Sequence, residues 1–185
     1  MNKSILSLIT LALLIASCTS EKKQDPFQVT KHNIGLLTDS TQVKDLNTIY
    51  NNDSIVKSIK GDEFISNANQ IDIFDTTGKK LLVLTPSQAL DSTSVIESVQ
   101  IIDPRYKTDK NITKLSVFKD IQDNYTISRI DNLINSVVIS VNEINASFTI
   151  DKKELPANLR FDMNLNIDAV QIPDGAKIKY FMLHW

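Results

Sequence analysis

The chain has 185 residues, a formal net charge of −2, 42% hydrophobic residues and a single cysteine. That length suits one ordinary domain or two small joined ones. Near-neutral, interspersed charge argues against nucleic acid and against a polybasic membrane patch, and one cysteine excludes an internal disulfide and a cysteine-rich metal site.

In chain order, Lys3 supplies a positive charge and Ile5 to Ala16 an apolar run broken only by Ser7 and Thr10. The run is too short to span a bilayer as a permanent helix. It closes on Leu14-Ile15-Ala16-Ser17-Cys18, where Ala16 and Ser17 are small residues of the kind a signal peptidase accepts. This segment resembles the lipobox of bacterial lipoproteins. The resemblance implies that residues 1–17 are a signal peptide and that Cys18 is lipidated with acyl chains such as palmitate. The mature protein would then sit on a cell-envelope membrane. Each buried CH₂ of such a chain contributes about 0.8 kcal/mol, so several on one residue make a firm anchor. The 185 residues less the 17 of the signal leave 168, and losing Lys3 takes the net charge from −2 to −3.

Residues 18–26 are polar and read as a flexible tether. Fully extended, the eight residues Thr19 to Pro26 that follow Cys18 reach roughly 25 Å, enough to lift a folded body clear of headgroups. Glu21, Lys22 and Lys23 are similar to the export signals of Bacteroidota surface lipoproteins and equally suit a plain spacer. The expected location is the outer membrane, on its periplasmic or surface face.

From Phe27 the apolar period is mostly two. A helix is predicted from a Ser40 or Thr41 cap through Tyr50, with Val43, Leu46, Ile49 and Tyr50 on one face. Ser54 to Lys57 reads as a strand. Ile71–Asp75 and Leu81–Leu84 flank a turn containing Gly78, a hairpin signal, and Val95–Ile102 is the next strand. Ser116 can cap a second helix bearing Phe118, Ile121 and Tyr125. Strands then follow at Val137–Val141, Ala146–Ile150, Leu159–Ile167 and Lys177–Trp185, with a turn at Asp174-Gly175 before the last.

The two helical segments match: Val43–Tyr50 aligns with Phe118–Tyr125 at a separation of 75. Each is entered through an isoleucine, Ile34 or Ile112, and each half later reaches Val-Gln-Ile, at Val99–Ile101 and Val170–Ile172. The predicted fold class is therefore α+β: antiparallel β-rich sheet with two short helices, from a tandem β-α-β-β-β duplication. The halves are 27–106 and 107–185, sharing a sheet or packed side by side. In layout this resembles small assembly lipoproteins of the SmpA or BamE type and the tandem-repeat β-lactamase inhibitor proteins.

Chemical signatures are sparse. His32 and His184 lie at opposite ends with no acidic partner at ligand spacing, so no metal and no cofactor are expected. Alternation aims Asp72 towards solvent, and neither the Asp72/Asp75 pair nor Asp120/Asp123 carries the burial that would separate two pKa values for acid–base work. Ser54-Ile55-Val56-Lys57 has nucleophile spacing but lies on a strand, without the helical turn that pairs the two side chains. No calcium loop, nucleophile elbow or phosphate-cradling glycine loop occurs.

Four Asp-Ser/Thr triplets, at Asp39-Ser40, Asp53-Ser54, Asp75-Thr76 and Asp91-Ser92, resemble Bacteroidota O-glycosylation sites, against about one expected from composition. Ser40, Ser54, Thr76 and Ser92 are thus candidate acceptors; the same dipeptides also start turns and cap helices. On the last strand, period two puts Phe181, Leu183 and Trp185 on one face and Tyr180, Met182 and His184 on the other. Tyr180 and His184 are candidate partner contacts. The reading is a non-enzymatic lipoprotein that contacts an envelope protein partner. An inhibitor or immunity-type protein blocking a hydrolase is the alternative, and an unrecognised envelope hydrolase a third.

Overall fold

The computed structural model describes residues 25–58 and 69–185. Cys18, the signal segment, most of the tether and Gly61 lie outside the described residues. Strands β1 (Gln28–Val29), β2 (Asn33–Ile34), β3 (Leu37–Thr38) and β8 (Lys107–Thr108) form a small sheet in the order β3-β2-β1-β8, with β1 and β8 parallel. A large sheet holds β4 (Ser54–Ser58), β5 (Gln70–Phe74), β6 (Lys80–Pro86), β7 (Ile96–Ile101), β9 (Arg129–Asn132), β10 (Ser136–Val141), β11 (Ala146–Asp151) and β12 (Ile178–His184). Its order is β4-β5-β6-β7-β12-β11-β10-β9, antiparallel throughout. Two short helices complete the fold, α1 (Leu46–Ile49), entered through a 3-10 turn at Val43–Asp45, and α2 (Phe118–Asn124). The α+β class read from the sequence is what the structure has.

In each half, small-sheet strands (β1–β3 or β8) precede the helix and a four-strand meander follows it, one strand more than the three expected after each helix. The meanders meet at β7 and β12, where Val99 faces Leu183 and Ile101 faces Phe181. One hydrophobic core runs along the inner face of the large sheet, with Ile73, Leu82, Leu84, Phe148 and Phe181 fully buried. Helix residues Leu46, Phe118 and Ile121 pack into the same core. Phe148 and Phe181 stack at 4.7 Å between centroids, an arrangement that adds to their large buried area.

The helical segments repeat their hydrogen bonds at the 75-residue separation. Thr41 Oγ1 accepts the Thr38 amide at 2.9 Å, and Ser116 Oγ accepts the Thr113 amide at 3.1 Å. Asp45 accepts the Gln42 amide and Asp120 the Val117 amide, at 3.1 and 2.9 Å. Val43 and Lys44 amides donate to the Ser94 and Ser92 carbonyls; Phe118 and Lys119 amides donate to those of Ala176 and Asp174. The expected hydroxyl caps are thereby corrected. Thr41 and Ser116 brace the preceding loop, and Asp45 and Asp120 take the helix-entry amides as one arm of a capping box does. The same register aligns Ile112 with Leu37, not with Ile34.

Two further expectations are corrected. Leu159–Ile167 is no strand: Leu159 closes a 3-10 turn, and the Asn132 amide group donates to the Asp162 and Leu165 carbonyls at 3.0 and 2.9 Å. Asp162 Oδ1 accepts the Asn164 amide, a local turn bond that competes with a ladder. Val170–Ile172 lies largely in a 3-10 turn with Val170 exposed, so it does not correspond to Val99–Ile101 inside β7.

Candidate functional site: the open face of the large sheet

Because side chains alternate along a strand, burying Val99, Ile101, Phe181 and Leu183 inward turns Ser98, Gln100, Tyr180, Met182 and His184 outward. Pairing extends this face across strands. Val83, Gln100, Met182, Ser147, Ser140 and Arg129 stand in one row from β6 to β9. Tyr180, Thr149, Val138 and Asp131 form a second. The face is rich in hydroxyls and amides and carries few charges.

Tyr180 and His184 therefore share one surface, on either side of Met182, and both are exposed. A shallow groove beside His184 is lined by Arg129, Val138, Ser140, Asn145 and Ser147. His184 Nε2 lies 2.8 Å from Ser147 Oγ. Partial desolvation of the imidazole where it meets the sheet lowers the His184 pKa, opposed by the nearby Glu97 charge. Among the described residues no acceptor holds His184 Nδ1, and the pair lacks the orienting third group of a nucleophilic triad. Trp185, expected to share the inward face of Phe181 and Leu183, is half-buried at the chain end and donates from Nε1 to the Lys31 carbonyl at 3.1 Å.

The other candidates are dispersed. His32 Nδ1 pairs with Asp39 at 2.7 Å on exposed surface, far along the chain from His184. Among the described residues no three His, Cys, Asp or Glu side chains gather where they could hold a metal. Ser54 and Lys57 lie on β4, in extended backbone. Among the described residues a second Ser-x-x-Lys spacing, missed by sequence reading, runs from Ser116 to Lys119; Ser116 accepts the Thr113 amide and Lys119 pairs with Asp123, so it forms no couple.

Asp72 is held by Lys80 at 2.6 Å and Asp75 by Arg105 at 3.0 Å. Asp75 also accepts the Thr77 hydroxyl at 2.6 Å together with the Thr77 and Lys79 amides, and these bonds hold its pKa at about 2 despite partial burial. Asp91 does the same for Thr93, at 2.7 Å to the hydroxyl, and is likewise lowered. In both turns the third residue of the triplet is consumed by the aspartate. The middle hydroxyl, Thr76 or Ser92, stays exposed, as do Ser40 and Ser54.

A separate recess gathers charge that sequence reading missed. Lys152, Lys153, Arg160 and Lys179 line it with a single carboxylate, Asp151, and with Ile134, Phe161 and Met163.

No family model and no curated protein matches the chain. The fold does match the crystal structure of the uncharacterized protein yfeY from Escherichia coli. That match has a TM-score of 0.55 and 14% sequence identity, covering 85% of this chain and 99% of that one. The likeness is one of fold.

Proposed function

We propose that the protein is a bacterial envelope lipoprotein, moored through acyl chains on Cys18 and serving as a non-enzymatic binding module for a protein partner. The lipobox Leu14–Cys18 carries the anchoring half of this reading. The open face of the large sheet is the surface we assign to the partner, with Tyr180 and His184 at its centre. It offers hydrogen-bonding groups and modest apolar area, which fits a polar, wet contact better than a buried reaction site. Membrane fractionation tests the anchor: Cys18→Ser should move the protein from the membrane fraction to the soluble one, and sedimentation unchanged by the substitution would refute it. Affinity capture with Tyr180→Ser and His184→Ser variants tests the face.

The duplicated helix-entry hydrogen bonds favour a tandem origin for the two halves, and with it the second reading, an inhibitor or immunity-type lipoprotein. Stoichiometric loss of a hydrolase's activity on mixing would support inhibition; stable co-purification without such loss would support assembly. The Ser147–His184 contact supports a hydrolase only if a Ser147→Ala variant loses measured turnover. The exposed Ser40, Ser54, Thr76 and Ser92 hydroxyls remain proposed O-glycan acceptors, and native intact mass without hexose-sized additions would remove them.

A further inference from the structure

The recess between the end of β11, the start of β10 and the loop after Leu159 concentrates positive charge on a chain whose net charge is negative. Four cationic side chains face one carboxylate. Asp151 is already committed, accepting Lys179 Nζ at 3.0 Å and the Lys153 amide at 3.0 Å. Arg160 donates Nε to the Leu155 carbonyl at 2.8 Å, which fixes the guanidinium plane while leaving its two terminal amino groups for another acceptor.

Lys152 is the decisive residue. It is 4% exposed and lines the recess, yet its Nζ is buried with no hydrogen-bond partner among the described residues. Lysine is almost never fully buried unless paired, and leaving a buried ammonium unpaired is costly. Its backbone is held at the strand end by donation to the Asn135 carbonyl at 3.0 Å. The rim has a different character: Phe161 is 88% exposed, Ile134 67% and Met163 52%. Such apolar surface beside a cationic hollow marks a binding site for something that is itself part apolar and part anionic.

We propose that this recess binds the phosphate group of an anionic amphiphile, with Lys152 and Arg160 taking the phosphate and Phe161, Ile134 and Met163 covering the adjoining aliphatic chain. Only Lys179 spends its side-chain charge on Asp151, and the three cations that remain suit a phosphate better than a singly charged carboxylate. The inference is independent of the membrane anchor and of the partner face.

The probes are inorganic phosphate and hexyl phosphate, titrated calorimetrically into the full chain and its variants. Hexyl phosphate should bind, and bind more tightly than inorganic phosphate. Lys152→Met and Arg160→Gln should each weaken it by about tenfold or more. Phe161→Ser should weaken hexyl phosphate and leave inorganic phosphate unaffected. Hexyl phosphate should also raise the thermal midpoint of the parent and not that of Lys152→Met, a variant whose apolar side chain suits a buried position and keeps the fold. Undiminished affinity in Lys152→Met, equal binding of the two probes, or binding of neither at millimolar concentration would overturn the proposal.

Discussion

Lys152 and Asp103 are two buried charges with opposite environments. The Asp103 side chain is fully buried and receives Arg105 through Nε and a terminal nitrogen, Lys79 Nζ at 2.9 Å and the Arg105 amide at 2.8 Å. Burial alone would raise its pKa; those donors hold it below the ordinary carboxylate value. Among the described residues, Lys152 Nζ has no such shell. Replacing an unpaired buried ammonium by an apolar chain of similar length removes a desolvation cost, whereas removing a satisfied carboxylate strands its partners. Lys152→Met should therefore raise unfolding free energy by about 1–2 kcal/mol in urea titrations. Asp103→Asn should lower it by about 2 kcal/mol, the usual worth of hydrogen bonds to a charged group.

Turns set the register of the elements. Gly78 closes the β5–β6 hairpin at φ +82°, with open space where a Cβ would stand. Gly35 joins β2 to β3 at φ +57°, where a Cβ would collide with the Pro26 carbonyl. Gly78→Ala should cost about 1 kcal/mol, from backbone conformation alone. Gly35→Ala should cost more, because it adds a steric clash with main chain that cannot rotate away. Comparable losses in the two variants by thermal denaturation would contradict this ordering. The hairpin was legible because Gly78 sits between Ile71-x-Ile73 and Leu82-x-Leu84. Strand β9 was not: Arg129, Asp131 and Asn132 carry the polar pattern of a protected sheet edge, which resembles a loop when read alone.

At the scale of the molecule, the central β7–β12 pairing makes one sheet of two meanders. Separating the halves would expose unpaired strands and an apolar inner face at the same moment. Unfolding followed by Trp185 fluorescence and by far-ultraviolet circular dichroism should give coincident midpoints; two separated transitions would mean that the halves are independent. Acid should weaken the whole fold. Asp75, Asp91, Asp103, Glu143 and Asp151 all have lowered pKa values in the folded state. A depressed carboxylate contributes its stability above its unfolded pKa and loses it as pH falls through the folded one. The denaturation midpoint should hold steady above about pH 5 and fall as pH drops from the ordinary aspartate value of 3.8 towards about 2, where Asp75 titrates.

Local pattern alone determined the strands with strict alternation, the two helical segments with their 75-residue register, and the inward turn of Phe181 and Leu183, because those signals lie within a few neighbouring residues. Tertiary structure decided the rest. Leu159 to Ile167 alternates like a strand, yet Asn132, distant in sequence, takes two of its carbonyls and leaves Phe161 in solvent. Lys152 belongs to an Asp-Lys-Lys-Glu run that reads as solvated charge, and the chain folding over it is what buries its ammonium. Burial is a property of surroundings brought together from separate segments, and no local period encodes it.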